Sequence, residues 1–60
     1  MKELWLVIAY NSNLNQSTHF LMTGTHSAVE KRVDTEFSVH WKITYMYMVA
    51  YTYDDVFREF

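Results

Sequence analysis

The chain has 60 residues, half of them hydrophobic and eleven aromatic (two Trp, five Tyr, four Phe), with one glycine, no proline and no cysteine. This composition excludes a disordered chain, and the lack of cysteine excludes disulfides and thiolate metal sites. The formal charge is −2, and the basic residues Lys2, Lys31, Arg32, Lys42 and Arg58 are scattered along the sequence, which gives no electrostatic footprint for a phosphate backbone.

Residues 1–60 are expected to form one small domain. A chain this short buries only ~60% of the surface its unfolded form exposes, so its stability calls for an addition. Without cysteine, a second copy of the chain is the natural source.

In chain order, Leu4 to Tyr10 is an unbroken apolar run after Met1-Lys2-Glu3. Seven residues make a poor signal-peptide core, an acid sits in the flank and no small-residue cleavage site follows, so the run reads as a central strand. No stretch approaches the ~20 apolar residues that span a bilayer. The expected location is therefore the cytoplasm. Asn11 to Ser17 is rich in side chains that compete with regular structure and reads as a loop. Its Asn15-Gln16-Ser17 fits a glycosylation sequon, which without a secretion signal is a chance match. Thr18 to Thr23 is β-prone and ends at Gly24, so the two runs make a hairpin.

Ser27-Ala28-Val29-Glu30 matches a capping box and predicts a helix start at Ser27. Val29, Val33 and Phe37 recur every fourth residue, opposite Lys31, Asp34, Thr35 and Ser38, which gives an amphipathic helix of about thirteen residues. His40 closes it and Glu36 is placed to pair with that imidazole.

Trp41 to Tyr53 has no helix breaker and an aromatic or β-branched residue at most positions. It reads as a long strand with Trp41, Ile43, Tyr45, Tyr47, Val49, Tyr51 and Tyr53 on one side and Lys42, Thr44, Met46, Met48, Ala50 and Thr52 on the other. Asp54-Asp55 is expected to cap a short terminal helical turn carrying Val56 and Phe60 on one side.

These elements predict an α+β fold: a three-stranded antiparallel sheet of order 2-1-3 in the sequence ββαβ(α), with one amphipathic helix on one face. The other face has no cover of its own, and an uncovered apolar face of this kind marks association. Homodimerisation through the long strand follows, by packing of faces or by pairing of strands across a two-fold axis. The expected interface residues are Trp41, Tyr45, Tyr47, Val49, Tyr51 and Tyr53, with Trp5 from the central strand.

Catalytic chemistry is poorly represented. His19, His26 and His40 stand at spacings that match no metal-ligand motif, and one glycine allows neither a phosphate loop nor a nucleophile elbow. The sequence thus predicts no enzyme, no cofactor and no metal. The expected function is a non-enzymatic protein–protein interaction module, a small inhibitor or regulator of another protein, with the helix residues Lys31, Arg32, Asp34 and Thr35 and the Asn-rich loop available to the target. In size and texture the chain resembles the small acidic, aromatic-rich inhibitors that phages encode against bacterial defence systems. That resemblance implies a host cytoplasm as its place of action. Two alternatives stand beside it: a single-stranded nucleic-acid binder that stacks bases on the strand tyrosines, and a small nuclease or metal-dependent hydrolase using His19, His40 or the aspartates.

Overall fold

The computed structural model describes residues 1–37 and 39–59. It contains β1 (Lys2–Asn11), β2 (Gln16–Thr23), α1 (His26–Glu36), β3 (Trp41–Thr52) and β4 (Phe57–Glu59). All pairings are antiparallel, in the spatial order β3-β1-β2-β4. The α+β class and the central place of β1 agree with the sequence reading. The sheet has four strands, however, because the segment expected to form a terminal helical turn is a strand.

The β1–β2 hairpin closes on residues 12–15, a tighter connection than the seven-residue loop expected. Asn11 organises it: its buried Oδ1 accepts from the backbone amides of Asn13 at 3.0 Å and Leu14 at 3.1 Å. This is the side-chain substitute for a backbone turn that Asn provides. Asn15 takes φ 51°, a left-handed conformation that Asn tolerates better than most residues.

At the other end of β2, Gly24 takes φ +142°, a region glycine enters without a Cβ clash. Its amide donates to the Glu3 carbonyl and its carbonyl accepts from the Trp5 indole, both at 3.0 Å. The helix follows at once. Its N-cap is Thr25, whose hydroxyl accepts from the Ala28 amide at 3.1 Å. Ser27 is therefore inside the helix, and the capping box expected there is not formed. Glu30 instead meets His26, one turn earlier, at 2.7 Å. The helix also stops sooner than its periodicity suggests, because Phe37 leaves it in an extended conformation at the C-cap. His40 consequently lies outside it and meets the Asn13 side chain at 2.9 Å, while Glu36 pairs with Arg32 at 3.1 Å. Ser38 and Phe60, read from sequence as parts of helical segments, lie outside the described residues.

Alternation along β1 and β2 sorts the core. Val7, Phe20 and Met22 on the sheet and Val29 and Val33 on the helix are fully buried, with Trp5, Phe37, Ile43 and Met46 packed against them. Phe20 is the centre, stacked against Phe37 at 5.1 Å and Phe57 at 5.8 Å. The last of these contacts helps explain β4. The outer edge of β2 offers unpaired backbone groups, and Thr23 uses both its amide and its hydroxyl to hold Val56, bonding the Val56 carbonyl and amide at 3.0 Å each. Asp54 does not cap a helix; its amide donates to the Thr52 hydroxyl at 3.2 Å, and Asp55 pairs with Lys2. A five-residue helix would make very few internal hydrogen bonds, whereas the strand gains a ladder and a place for Phe57 on the core.

Candidate functional site

The pairing register places each side chain on one of two faces. Val7 faces the helix, and so do the residues paired with it, Phe20 and Met46. The neighbouring rows face away: Leu4 between Thr23 and Ala50, Leu6 between Leu21 and Tyr47, Ile8 between His19 and Tyr45, and Tyr10 between Ser17 and Lys42. No further helix or strand among the described residues remains to cover this second face. Its centre is aliphatic, built from Leu4, Leu6, Ile8 and Leu21, and each of these is only partly buried by its strand neighbours. Tyr45 and Tyr47 border it, 56% and 43% exposed, with their rings edge to face at 4.6 Å.

The expected aromatic ladder of β3 is divided between the faces. The β1–β3 register slips between Ile8 and Ala9 and again between Leu4 and Trp5. At each slip β3 carries one residue more than β1, Thr44 at the first and Val49 at the second, the signature of a β-bulge. Simple alternation therefore fails. Trp41, Ile43, Met46, Met48 and Tyr51 pair with Asn11, Ala9, Val7, Trp5 and Glu3 and share the helix side, while Tyr45 and Tyr47 share the open side. Of the residues expected at an interface, only Tyr45 and Tyr47 point to the open face by register. Val49 is 48% exposed at a bulge, Tyr51 is 58% exposed on the helix side, and Tyr53 is 80% exposed beyond the strand. Trp41 packs edge on against Phe37, and Trp5 is held by Gly24 and by an edge contact with His26, so both belong to the helix layer.

Charge follows the same division, which sequence order conceals. Lys2, Lys42 and Arg58, the cations carried by strands, occupy open-face positions, through pairing with Thr52, Tyr10 and Leu21 respectively. Glu3 and Glu59, the carboxylates carried by strands, occupy helix-face positions through Tyr51 and Phe20. Asp55, in the connection before β4, reaches the rim, where the Lys2 ammonium holds its carboxyl below the usual carboxylate range through a hydrogen bond and direct attraction. Lys42 and Arg58 are exposed.

The outer edge of β3 is the second feature. β3 is twelve residues long, carries one charge, and among the described residues pairs only with β1. The opposite edge strand, β4, has three residues. Long apolar edges are templates for a further strand, and the usual protections are charge, proline or brevity. Lys42, near one end, is the only such protection on β3 besides its bulges.

The histidines and aspartates named from sequence stand at separate places in the fold. His26 and His40 are engaged with Glu30 and Asn13, Asp55 with Lys2, and among the described residues no three His, Asp or Glu side chains converge as a metal site would require. The helix residues Lys31, Arg32, Asp34 and Thr35 are exposed, with Arg32 committed to Glu36 and lying 5.0 Å from the Phe57 ring centre. No helix among the described residues is long and apolar enough to cross a membrane. Comparison with protein-family models, with curated proteins and with solved structures finds no match to this chain.

Proposed function

We propose that this chain is a non-enzymatic interaction module that works as a homodimer and binds another protein to inhibit or regulate it. The observation that carries the dimer is the outer edge of β3, a twelve-residue strand with Tyr45, Tyr47, Val49 and Tyr51 exposed and unpaired backbone groups along its length. The fully apolar core beside it is small: Val7, Ala9, Phe20, Met22, Val29 and Val33. Pairing β3 with the β3 of a second copy, antiparallel about a two-fold axis normal to the sheet, satisfies those backbone groups and removes the exposed edge. Both open faces then lie on the same side of one continuous sheet.

Light scattering tests this reading. The chain should run at about twice its 7.3 kDa, and Tyr47→Glu, which brings two carboxylates together near the axis, should return it to 7.3 kDa with its circular dichroism retained. A dispersed wild-type monomer at high concentration overturns it.

A second reading has one observation in its favour. Tyr45 and Tyr47 share the open face with Lys42 and Arg58, and aromatic rings with nearby cations are what single-stranded nucleic acid uses for stacking and phosphate contact. Fluorescence titration with oligonucleotides at two salt concentrations tests it, since such binding must weaken as salt rises.

A further inference from the structure

We infer that the open sheet face is the target-binding surface of this module, and that its occupant is a protein segment presenting apolar side chains within an acidic rim. The inference rests on the interaction-module reading above, and it separates two surfaces: the β3 edge for a second copy, the face for the target.

Size and texture support a protein partner. On a molecule measuring 36 × 19 × 15 Å across its Cα atoms, one broad face approaches the ~800 Å² that each partner contributes to a standard protein interface. Its anatomy is also that of an interface, with an aliphatic centre of Leu4, Leu6, Ile8 and Leu21, two large tyrosines beside it and charges at the margin. Bases stack on flat rings, and the centre of this face is branched aliphatic carbon that offers them none.

The sign of the rim selects the partner's charge. Every strand-borne cation is on this face and both strand-borne carboxylates are on the other. Lys2 is matched by Asp55, which leaves Lys42 and Arg58 at opposite margins to meet carboxylates. The same rim argues against face-to-face packing of two copies, because such packing would bring like charges together around a dehydrated centre.

The test is amide chemical-shift mapping on the full chain with three probes: an acidic amphipathic peptide alternating Leu and Tyr with Glu, the same peptide with Lys in place of Glu, and oligo-dT. The acidic peptide should perturb Leu6, Ile8, Leu21 and Tyr47 while leaving the outer helix residues unmoved. Lys42→Glu with Arg58→Glu should weaken it at least tenfold and transfer binding to the basic peptide. Arg58→Glu alone, on the strand farthest from β3, should leave the mass seen by light scattering unchanged. The inference is overturned if no peptide perturbs the face, if both peptides bind equally, or if oligo-dT alone binds. It is also overturned if Arg58→Glu changes the dimer, which would make the face itself the contact between copies. A wild-type monomer whose face still takes the acidic peptide would remove the dimer and leave this inference standing.

Discussion

The Thr44 hydroxyl donates to the Ile8 carbonyl at 3.1 Å, at the point where the register of β3 slips against β1. The bond spans a bulge. On one side of it Ile43 packs into the core, and on the other Tyr45 turns outward although the two residues are only two apart in sequence. In a regular strand residues two apart share a face, so without the bulge Ile43 and Tyr45 would lie on the same side and one of them would be misplaced.

Thr44→Val keeps the shape and β-propensity of the side chain and removes this bond. The hydroxyl is exposed, so the expected loss is about 0.5–1.5 kcal/mol, the net worth of an ordinary hydrogen bond. Urea denaturation followed by tryptophan fluorescence measures it. A loss well beyond that range would show that the hydroxyl also fixes the register of the whole strand.

The helix N-terminus separates two candidate caps. Thr25 has the cap geometry and accepts from the Ala28 amide, whereas Ser27 is inside the helix. Thr25→Ala should cost roughly 0.5–2 kcal/mol and Ser27→Ala only a few tenths. Equal losses, or a larger loss at Ser27, would contradict this cap assignment.

That pair of residues shows what could be read from the sequence. The capping-box pattern found the helix and missed its start by two residues, because Thr25 can cap only once Gly24 has turned the chain, and that turn depends on bonds to Glu3 and Trp5 far away in sequence. The strands β1, β2 and β3, the central position of β1 and the helix stripe Val29–Val33 were legible, since burial periodicity is local. The exposed apolar face was legible as a shortage of cover. Its composition was not. Bulges insert a residue without any sequence mark, so the ladder read as one surface is split at Thr44 and Val49. The cations gather on one face only through cross-strand pairing, and β4 exists because β2 offers it an edge.

Phe20 is fully buried between two phenylalanine rings and pairs with Val7 across the hairpin. Phe20→Ala removes the largest side chain of the core, and such truncations cost about 3–5 kcal/mol. In a chain of this size that is a large share of total stability. The variant should be largely unfolded at room temperature by circular dichroism, while Phe57→Ala, at a half-exposed ring on the short edge strand, should remain folded.

Asp55 supplies a pH prediction with a defined sign. Its folded carboxyl titrates below the ordinary value near 3.8 because Lys2 bonds and attracts it, with a smaller contribution from Arg32. A depressed carboxylate contributes stability that is complete above its unfolded pKa and is lost as the pH falls through the folded one. The Asp55 carboxyl resonance should therefore titrate below the ordinary carboxylate range, and Lys2→Gln should raise its midpoint. An Asp55 midpoint that does not move between the wild type and Lys2→Gln would mean that the Lys2 contact is not populated in solution.

The dimer predicts a stability that depends on concentration. If β3 edges pair only in the folded chain, mass action adds stability as concentration rises, by about 2.7 kcal/mol for a hundredfold excess over the dissociation constant. For small domains each kcal/mol is worth several degrees, so the melting temperature should climb on the order of ten degrees across about two decades of concentration. Tyr47→Glu should abolish that slope and leave the melting temperature near the dilute wild-type value, because Tyr47 is 43% exposed and contributes little to the core. Arg58→Glu should keep the slope, since β4 lies at the far edge of the sheet from β3. The contrast between these two variants matters more than either alone. A residue that merely destabilises the fold lowers the whole curve, whereas a residue at the contact between copies flattens it.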